Sequence, residues 1–567
     1  MKQKILFWVM PVLLVVSMMF SACTPTTPAV TQQVVVQATE AVESTELPTQ
    51  APTEAATQPP TESPTPEQPI RVVLVEPNSY TSLDPFTNAS HWTPSTTNFG
   101  FLLTYSPDYK SYLPLMAESW EFSEDNLTFT MKLRPDAVFS DGTPVDAEAI
   151  KWVIDKYLDP DLASPAGGNL RGAVQSVEVV DQNTVQLNMI APFAYLLDEL
   201  AILEIPSPTA YQSMTPELYS QKLTAAGEFV AQEVVPDQSI LFGKNETFHW
   251  GSSACQNQGP MQFDELLIRY VSDEAVAYAS LETGEVDISP IAAQYLEQAK
   301  TNPNITVIEA KTEITNYLGF NHEFHPFDVE AVRQAFAYAI NRQEIVDIAY
   351  EGQAEVLYQP LAPGNVGYNP ELEEYSRQTS DDVEKANAIL DELGYLDTDG
   401  DGIRETDTGE KMEYSLLFPT DPTIQRIAET LQAQISQIGV SIYLEGMDSS
   451  IVRERTSQGT HHLFTWQLGM VTPNITTYAF YSERIGASNR SHVNDPELDA
   501  LLLAQDQETD PILRQAAVDA VSKYLIDHRI FVPFLSPRTY TGYRNDRIVP
   551  GLIDNKGVIK WCDLTVK

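Results

Sequence analysis

The feature that most constrains this chain is a low-complexity segment, residues 24–69, which consists largely of Thr, Pro, Ala, Glu and Gln. It has almost no large apolar side chains outside a valine stretch at 34–36, so burial cannot offset the entropy cost of ordering it. We expect residues 23–69 to be a disordered tether and ordered structure to begin near Ile70. A chain of 567 residues is too long for one hydrophobic core, which predicts two or more domains.

Residues 1–22 have the pattern of an export signal. Two lysines precede an apolar run over 5–20, and small residues then lead to Cys23. The residues before Cys23 also resemble a bacterial lipobox, although Phe20 stands where Leu is usual, and this resemblance implies lipidation of Cys23 after cleavage. An uncleaved transmembrane helix is disfavoured by Pro11 and by the shortness of the run. We expect a protein anchored by lipid outside the cell membrane or in a periplasm.

The charge of the chain excludes one class of function. Lys and Arg number 34 against 79 Asp and Glu, which gives a formal net charge of −45. Such a surface repels phosphate backbones, and no basic stripe interrupts it. Nucleic-acid binding is therefore not expected.

Two cysteines remain once Cys23 is assigned to the lipid. Cys255 and Cys562 form no CxxC or zinc-ligand spacing. In an oxidising compartment they are a candidate long-range disulfide. Two unpaired buried thiols are the alternative, because spacing alone does not establish the distance between the two Cα atoms.

Apolar periodicity predicts an α/β protein with mixed sheets. Residues 70–75 form a short apolar run typical of a buried strand, and apolar and polar side chains alternate over 127–133 and 174–187. Apolar residues recur at helical spacing over 424–438, and Gly439 is placed to end that helix. This mixture of helices and strands favours α/β lobes.

Several segments of the chain resemble a known family. Residues 115–121 (LMAESWE), 128–134 (TFTMKLR) and 138–144 (VFSDGTP) are similar to the signature of the family 5 extracellular solute-binding proteins, the dipeptide, oligopeptide and nickel receptors of ABC importers. Shorter similarities follow the family's order and lie at Ser82–Pro85, Leu281–Asp287, Tyr317–Asn321 and Val332–Phe336. The resemblance extends from about Ile70 to the C terminus.

The resemblance implies the two-lobe periplasmic-binding-protein-like fold (type II, cluster C), an α/β fold with mixed sheets and a hinge. The first lobe would comprise residues 70–310 and 533–567, with a subdomain inserted at about 115–220. The second lobe would comprise residues 311–532. The chain would cross between the lobes twice, near Lys311 and near Phe531–Phe534.

The same resemblance implies a function. Lobes that close over a ligand suit the capture of an organic solute of peptide or oligosaccharide size and its delivery to the permease subunits of an ABC importer. We expect a monomer without catalytic residues or a required cofactor. One alternative is a ligand-sensing receptor on the same fold. Another is a secreted glycoside or peptide hydrolase, which is disfavoured because the chain has no GxSxG or HExxH motif.

Trp466 and Gly469 are the central candidates for ligand binding. Peptide-binding members of the family hold the ligand's α-ammonium with an Asp three residues after a Trp, and Gly469 stands at that position. A buried ammonium without a carboxylate is costly, so peptide capture through the N terminus is in doubt. Trp466 is either a core aromatic or a cleft residue that stacks on a sugar ring or an apolar side chain, and its place in the motif favours the cleft. Further candidates that border the predicted hinge are Asn78, Tyr80 and Asn321.

An acidic loop is a candidate for structural Ca²⁺. Asp397, Asp399 and Asp401 alternate before a glycine, and Glu405 stands at the ninth position, so the oxygens suit a hard cation. Thr408 occupies the twelfth position, where an EF-hand supplies a bidentate Glu. A solvated acidic turn is the alternative.

Four of the eight histidines form two close pairs, His322 with His325 and His461 with His462. No third ligand of a transition metal lies near either pair in the sequence. We interpret all four as surface residues, which keeps nickel a minor alternative.

Overall fold

The computed structural model describes residues 68–79, 84–87, 100–162, 164, 167–378 and 381–567. Three predictions lie outside these residues: the export signal, Cys23 with nearly all of its tether, and Tyr80. Among the helices that the structure describes, none combines the length and the apolar character needed to cross a membrane.

Twenty strands lie within the described ranges, and most of them belong to one large sheet. In chain order they are β1 (Arg71–Glu76), β2 (Leu103–Tyr105), β3 (Tyr112–Pro114), β4 (Ala117–Phe122), β5 (Thr128–Leu133), β6 (Val174–Asp181), β7 (Thr184–Met189), β8 (Phe229–Val235), β9 (Ser239–Lys244), β10 (Glu265–Tyr270), β11 (Ile288–Pro290), β12 (Ile305–Lys311), β13 (Ile314–Phe320), β14 (Ala354–Val356), β15 (Glu413–Pro419), β16 (Ser441–Met447), β17 (Leu463–Gly469), β18 (Phe531–Arg544), β19 (Ile548–Val549) and β20 (Thr565–Val566).

The same ranges contain sixteen α-helices and three short 3-10 helices. The α-helices are α1 (Ala147–Leu158), α2 (Gly168–Ala173), α3 (Leu196–Ile202), α4 (Pro208–Gln212), α5 (Pro216–Lys222), α6 (Glu274–Thr283), α7 (Leu296–Thr301), α8 (Glu330–Ala339), α9 (Arg342–Tyr350), α10 (Pro370–Arg377), α11 (Val383–Glu392), α12 (Pro422–Ser436), α13 (Ser449–Ser457), α14 (Ile475–Phe480), α15 (Pro496–Gln507) and α16 (Pro511–Asp527). The 3-10 helices are Ala293–Tyr295, Ser482–Arg484 and Trp561–Asp563.

Acidic N-caps followed by proline fix where several helices begin. Asp421 accepts hydrogen bonds from the first N–H groups of α12, and Pro422 occupies the first helical position, where no N–H donor is needed. Gly439 follows the end of α12 with a φ of +74°, a conformation that glycine adopts without strain. The predicted helix over 424–438 is therefore confirmed.

One long strand joins the two halves of the main sheet. β18 pairs through Phe531–Leu535 with β13 and through Arg538–Arg544 with β12. Only Thr312 and Glu313 separate β12 from β13, so the chain passes between the halves close to the predicted Lys311. On its return to the first lobe, β18 changes its pairing partner from β13 to β12. This change comes a few residues after the predicted crossing at Phe531–Phe534, because Leu535 still pairs with β13.

The first lobe is organised around β1. This strand pairs in parallel with β10 and β11, and β10, β9 and β8 continue as antiparallel neighbours. Between β1 and β10 the chain forms a separate antiparallel sheet of order β4-β5-β7-β6, which packs against α1. A single apolar core runs through both parts and includes Phe86, Phe129, Phe242 and Leu266.

The second lobe has a sheet of order β16-β15-β17-β13 that ends on the first half of β18. Both faces of this sheet are apolar, because adjacent residues of a strand point to opposite sides. Leu318 packs with α8, α9, α11 and α12 on one face, while its neighbour Tyr317 packs with α14, α15 and α16 on the other.

Cys255 and Cys562 are joined in a disulfide, with their Cα atoms 6.1 Å apart. The bond links the loop between β9 and β10 to the 3-10 helix near the C terminus. Asn257 reinforces this link, since its side-chain amide donates to the Cys562 carbonyl and its backbone N–H donates to Asp563. The second lobe lies wholly within the 307-residue separation that the disulfide spans.

Candidate ligand cavity between the lobes

A cavity of about 660 Å³ lies between the two lobes. The first lobe contributes residues within 108–112 together with Tyr195 and Asp198, and the C-terminal segment contributes Asn555 and Lys556. The second lobe contributes residues of 363–367, Pro473 and the start of α16, and Lys311 lies at the hinge. The walls therefore come from two separately packed cores.

Glycine is required where the second-lobe wall meets the hinge. The N–H of Gly364 donates to the carbonyl of Thr312, and a Cβ atom at position 364 would lie 2.5 Å from the Thr312 carbonyl carbon. Only a residue without a side chain allows this approach. Asn365 then donates to the carbonyl of Met470, which fixes the loop against the end of β17.

Tyrosines surround a buried carboxylate in the first-lobe wall. Tyr105 donates to Asp198 at 2.9 Å, and Tyr112 also donates to it. Burial raises the pKa of Asp198 above its ordinary value, while the two hydroxyl groups act against that rise. Tyr195 lies beside them with 2% of its surface exposed, and its hydroxyl group has no hydrogen-bond partner among the described residues.

The lobes contact each other directly along one side of the cavity. Arg514 at the start of α16 donates to the carbonyl of Ala194 at 2.8 Å, and its guanidinium lies 5.9 Å from the ring centre of Tyr195. The N–H of Ala194 donates to the carbonyl of Asp506, and Asn126 donates to Thr509. These contacts place the lobes in a closed arrangement.

Glu199 is a buried acid within this contact. Asn169 of the first lobe donates to it at 2.8 Å, and Asn474 of the second lobe donates to it as well. Burial raises the pKa of Glu199 to about 7, since hydration of the carboxylate is lost. The protonation of this group is therefore coupled to the contact between the lobes.

The C-terminal wall carries paired charges. Lys556 lies 3.5 Å from Glu313, its ammonium is 4.7 Å from the ring centre of Tyr109, and burial lowers its pKa. Lys311 lies 3.1 Å from Glu355. Both lysines therefore have carboxylate partners on the hinge side of the cavity.

The sequence profile of the bacterial extracellular solute-binding proteins, family 5 (middle region), matches residues 111–488, which is more than half of the chain. The chain belongs to this family. Its members are solute-binding proteins of the extracytoplasmic space, and the relatives below are binding proteins rather than enzymes.

Curated relatives of this family 5 protein cover most of its length. Heme-binding protein A of Haemophilus influenzae is 30% identical over 439 residues, which cover 71% of this chain and 76% of that protein. The nickel-binding periplasmic protein of Escherichia coli is 25% identical over 492 residues, which cover 82% of this chain and 87% of that protein.

Solved structures match the fold. HbpA2 from Haemophilus parasuis gives a TM-score of 0.74 at 22% identity and covers 88% of this chain and 100% of its own. The oligopeptide-binding protein AppA from Bacillus subtilis gives 0.72 at 18% identity with the same coverage of both chains. The predicted two-lobe, periplasmic-binding-protein-like α/β fold is confirmed.

Trp466 lines a second and smaller pocket of this family 5 protein, about 250 Å³ in volume, within the second lobe. Its ring lies 5.5 Å from the guanidinium of Arg453 and 4.6 Å from that of Arg490. Gly469 lies at the end of the same strand, and a Cβ atom there would meet Ile314 at an ordinary 3.7 Å. The backbone therefore has room for an Asp at this position, and neither residue lines the interlobe cavity.

The other two described ligand candidates do not join this site. Asn321 is buried, and its amide donates to the carbonyls of Gly459 and His461, so its hydrogen-bonding capacity stabilises a loop. Asn78 is exposed after β1 and lines neither cavity. The structure gives no geometric support to a direct ligand contact by either residue.

The acidic loop places three of its four candidate ligands together. Oxygens of Asp397, Asp399 and Glu405 lie within 4.8 Å of one another. Asp401 instead forms an ion pair with Lys411, which also lies 2.9 Å from Asp399. The lysine thus holds a positive charge at the loop, and calcium binding there stays a prediction.

The interpretation of the histidines as surface residues is wrong for His461. It is 2% exposed, and burial lowers its pKa to about 3. Burial also lowers the pKa of His322 to about 3, and its ring bonds to the Ile530 carbonyl. Both residues pack as neutral imidazoles.

Sequence reasoning missed most of the cavity wall. Lys110, Tyr195, Asp198 and Arg514 belong to no motif of the chain. The first three come from separate segments of the first lobe, and the packing of α16 against that lobe brings in Arg514, which is 320 residues from its partner Ala194.

Proposed function

We propose that this family 5 protein is the lipid-anchored receptor of an ABC importer, which captures an organic solute of peptide or oligosaccharide size and presents it to the permease. The cavity of about 660 Å³ between the lobes carries this proposal. Its volume lies in the range of small-molecule sites. Since each lobe supplies only part of the wall, a bound solute favours the closed arrangement, and closure is a state that a permease can distinguish.

Thermal-shift measurements on the purified protein test solute capture. A ligand that binds only the folded protein raises the unfolding midpoint with its concentration. We expect members of a panel of peptides and of cello- and xylo-oligosaccharides to do so. No rise with any class of organic solute would reject the proposed function.

The variant Gly469→Asp tests whether peptides bind through their N-terminal ammonium. The added carboxylate has steric room, so the protein should remain folded. We expect the absent carboxylate at position 469 to make peptide N termini poor ligands of the wild type. If peptides alone raised the midpoint and Gly469→Asp reduced that rise, this expectation would be wrong.

The lipid anchor and the partner have separate tests. Metabolic labelling with a radioactive fatty acid should label the wild type and leave Cys23→Ser unlabelled. Solute uptake should require both the receptor and permease subunits that co-purify with it. A receptor that binds solute but neither supports uptake nor retains permease would instead be a ligand sensor.

A further inference from the structure

We propose that the interlobe cavity selects an organic anion, a solute that carries at least one carboxylate or phosphate group. This inference rests on the proposed solute-binding function and names the chemical class of the solute. It comes from the charges and hydrogen-bond donors of the cavity wall.

The sign of charge in the cavity is opposite to that of the whole chain. Among the described lining residues there are four cationic side chains, Lys110, Lys311, Arg514 and Lys556, and two carboxylates, Asp108 and Asp198. In the full sequence, Lys and Arg are outnumbered by Asp and Glu, 34 to 79. A confined wall that reverses the sign of its protein concentrates ligands of the opposite charge.

Two of the four cations form no close ion pair in the described part of the chain, although the charge of Arg514 acts on Asp198 and that of Lys110 acts on Asp108. Lys311 and Lys556 are paired with Glu355 and Glu313. Among the described residues, Arg514 makes one hydrogen bond, to the backbone carbonyl of Ala194, and its guanidinium has further N–H donors to offer. Lys110 is exposed, and its ammonium makes no hydrogen bond to any residue that the structure describes. These two side chains can donate to an oxyanion of the solute.

The two carboxylates of the wall are outnumbered by its four cations, and each has hydrogen-bond donors of its own. Asp198 is buried and receives hydrogen bonds from Tyr105 and Tyr112. Asp108 is exposed and accepts hydrogen bonds from Ser106 and from the backbone N–H of Lys110. Both acids are therefore already satisfied by groups of the first lobe.

The buried hydroxyl of Tyr195 supports the same class of solute. Tyr195 lines the cavity, its hydroxyl is buried without a partner among the described residues, and a buried polar group left unpaired is costly. An acceptor on the solute would remove that cost. A cationic solute would instead be repelled by Lys110 and Arg514, and a neutral one would offer Arg514 no oxyanion to bind.

Calorimetry on the whole protein tests the proposal with pairs of solutes that are similar in size and differ in charge. The pairs are N-acetylated and C-terminally amidated tetrapeptides with two Glu against two Gln, glucuronate-containing against neutral disaccharides, and glucose 6-phosphate against glucose. We expect an anionic member to bind at least tenfold more tightly than its neutral twin, with an affinity that falls as salt is added. The carboxylate and phosphate pairs separate the two sources of the oxyanion.

Two variants locate the effect. Arg514→Gln should weaken binding of the anionic solute by about tenfold to a hundredfold, the range of one charge-assisted hydrogen bond, and Arg514→Lys should restore part of it. Lys110→Gln should act in the same direction and cannot unfold the protein, because its side chain is exposed. Lys300→Gln, an exposed lysine of α7, is the matched control and should change nothing.

The outcomes separate the two proposals. Equal or tighter binding of the neutral twins, or anion binding unaffected by both Arg514→Gln and Lys110→Gln, overturns the anion assignment and leaves solute binding intact. A panel in which no compound of either charge binds counts against both.

Discussion

The two lobes are held together by different means. The first lobe has a core that runs through its inserted sheet and a disulfide that ties its C-terminal segment back to residue 255. The second lobe contains no cysteine and has helices on both faces of its sheet. The chain leaves the first lobe for the second and returns to it, so the first lobe must join distant segments, whereas the second is continuous. Long-range connectivity, rather than poorer packing, explains where the covalent link is found.

Removal of the disulfide should have the largest effect and should destabilise the first lobe far more than the second. The double variant Cys255→Ser, Cys562→Ser removes the covalent link between two residues that are 307 positions apart. We expect the free energy of unfolding to fall by about 4 kcal/mol. Hydrogen exchange should accelerate in the C-terminal segment and around residue 255, with little change in the second lobe. Ser253→Ala, in the same loop, is the control. Equal acceleration in both lobes would show that they do not differ in this way.

The variant Glu199→Gln should change how the stability of the protein depends on pH through the contact between the lobes. The folded-state pKa of about 7 lies above the ordinary 4.5, so the protonated form is favoured by folding. The stabilisation of the folded protein by protonated Glu199 is present below about pH 4.5 and is lost as pH rises through 7. Glutamine keeps the neutral form at every pH, and we expect it to stabilise the protein by up to about 3 kcal/mol at pH 8 and by little at pH 4.5.

Unfolding midpoints measured from pH 4.5 to pH 8 check the Glu199 prediction. The exposed Glu297→Gln is the matched control and should show no such pH dependence. A Glu199→Gln variant that lost stability equally at both ends of the range would mean that Glu199 contributes as a charged group.

Calcium should have the smallest effect and should act on the second lobe alone. If the acidic loop binds it, 100-fold excess over the dissociation constant stabilises the folded protein by about 3 kcal/mol at most, and less where Lys411 competes for Asp399 and Asp401. We expect a rise in midpoint with Ca²⁺, reversal by a chelator and loss in Asp397→Asn. Asp161→Asn, an exposed acid of the first lobe, should respond as wild type does. No shift at millimolar Ca²⁺ would identify a solvated turn.

Local sequence patterns predicted helices and strands well where the stabilising interactions join residues that are close in the sequence. The apolar stripe and Gly439 predicted α12, and the acidic alternation at 397–405 predicted a loop whose oxygens converge. Asn321 was a ligand candidate because its segment borders the hinge that the family resemblance implies, and its amide donates to two carbonyls of the adjoining loop. A local sequence pattern does not predict which residues a side chain contacts in the tertiary structure.

The sequence by itself determined the α/β class, through apolar periodicity, and the resemblance to family 5, through short motifs, because both are local properties. The two-lobe architecture was what that resemblance implied. The tertiary structure decided that Cys255 meets Cys562, that Trp466 lines a pocket of the second lobe, and that Arg514 and Lys110 face one cavity. These contacts depend on how β18 and α16 place segments far apart in the chain. Charge in a cavity depends on which side chains meet there, and composition alone, at −45, points to the opposite sign.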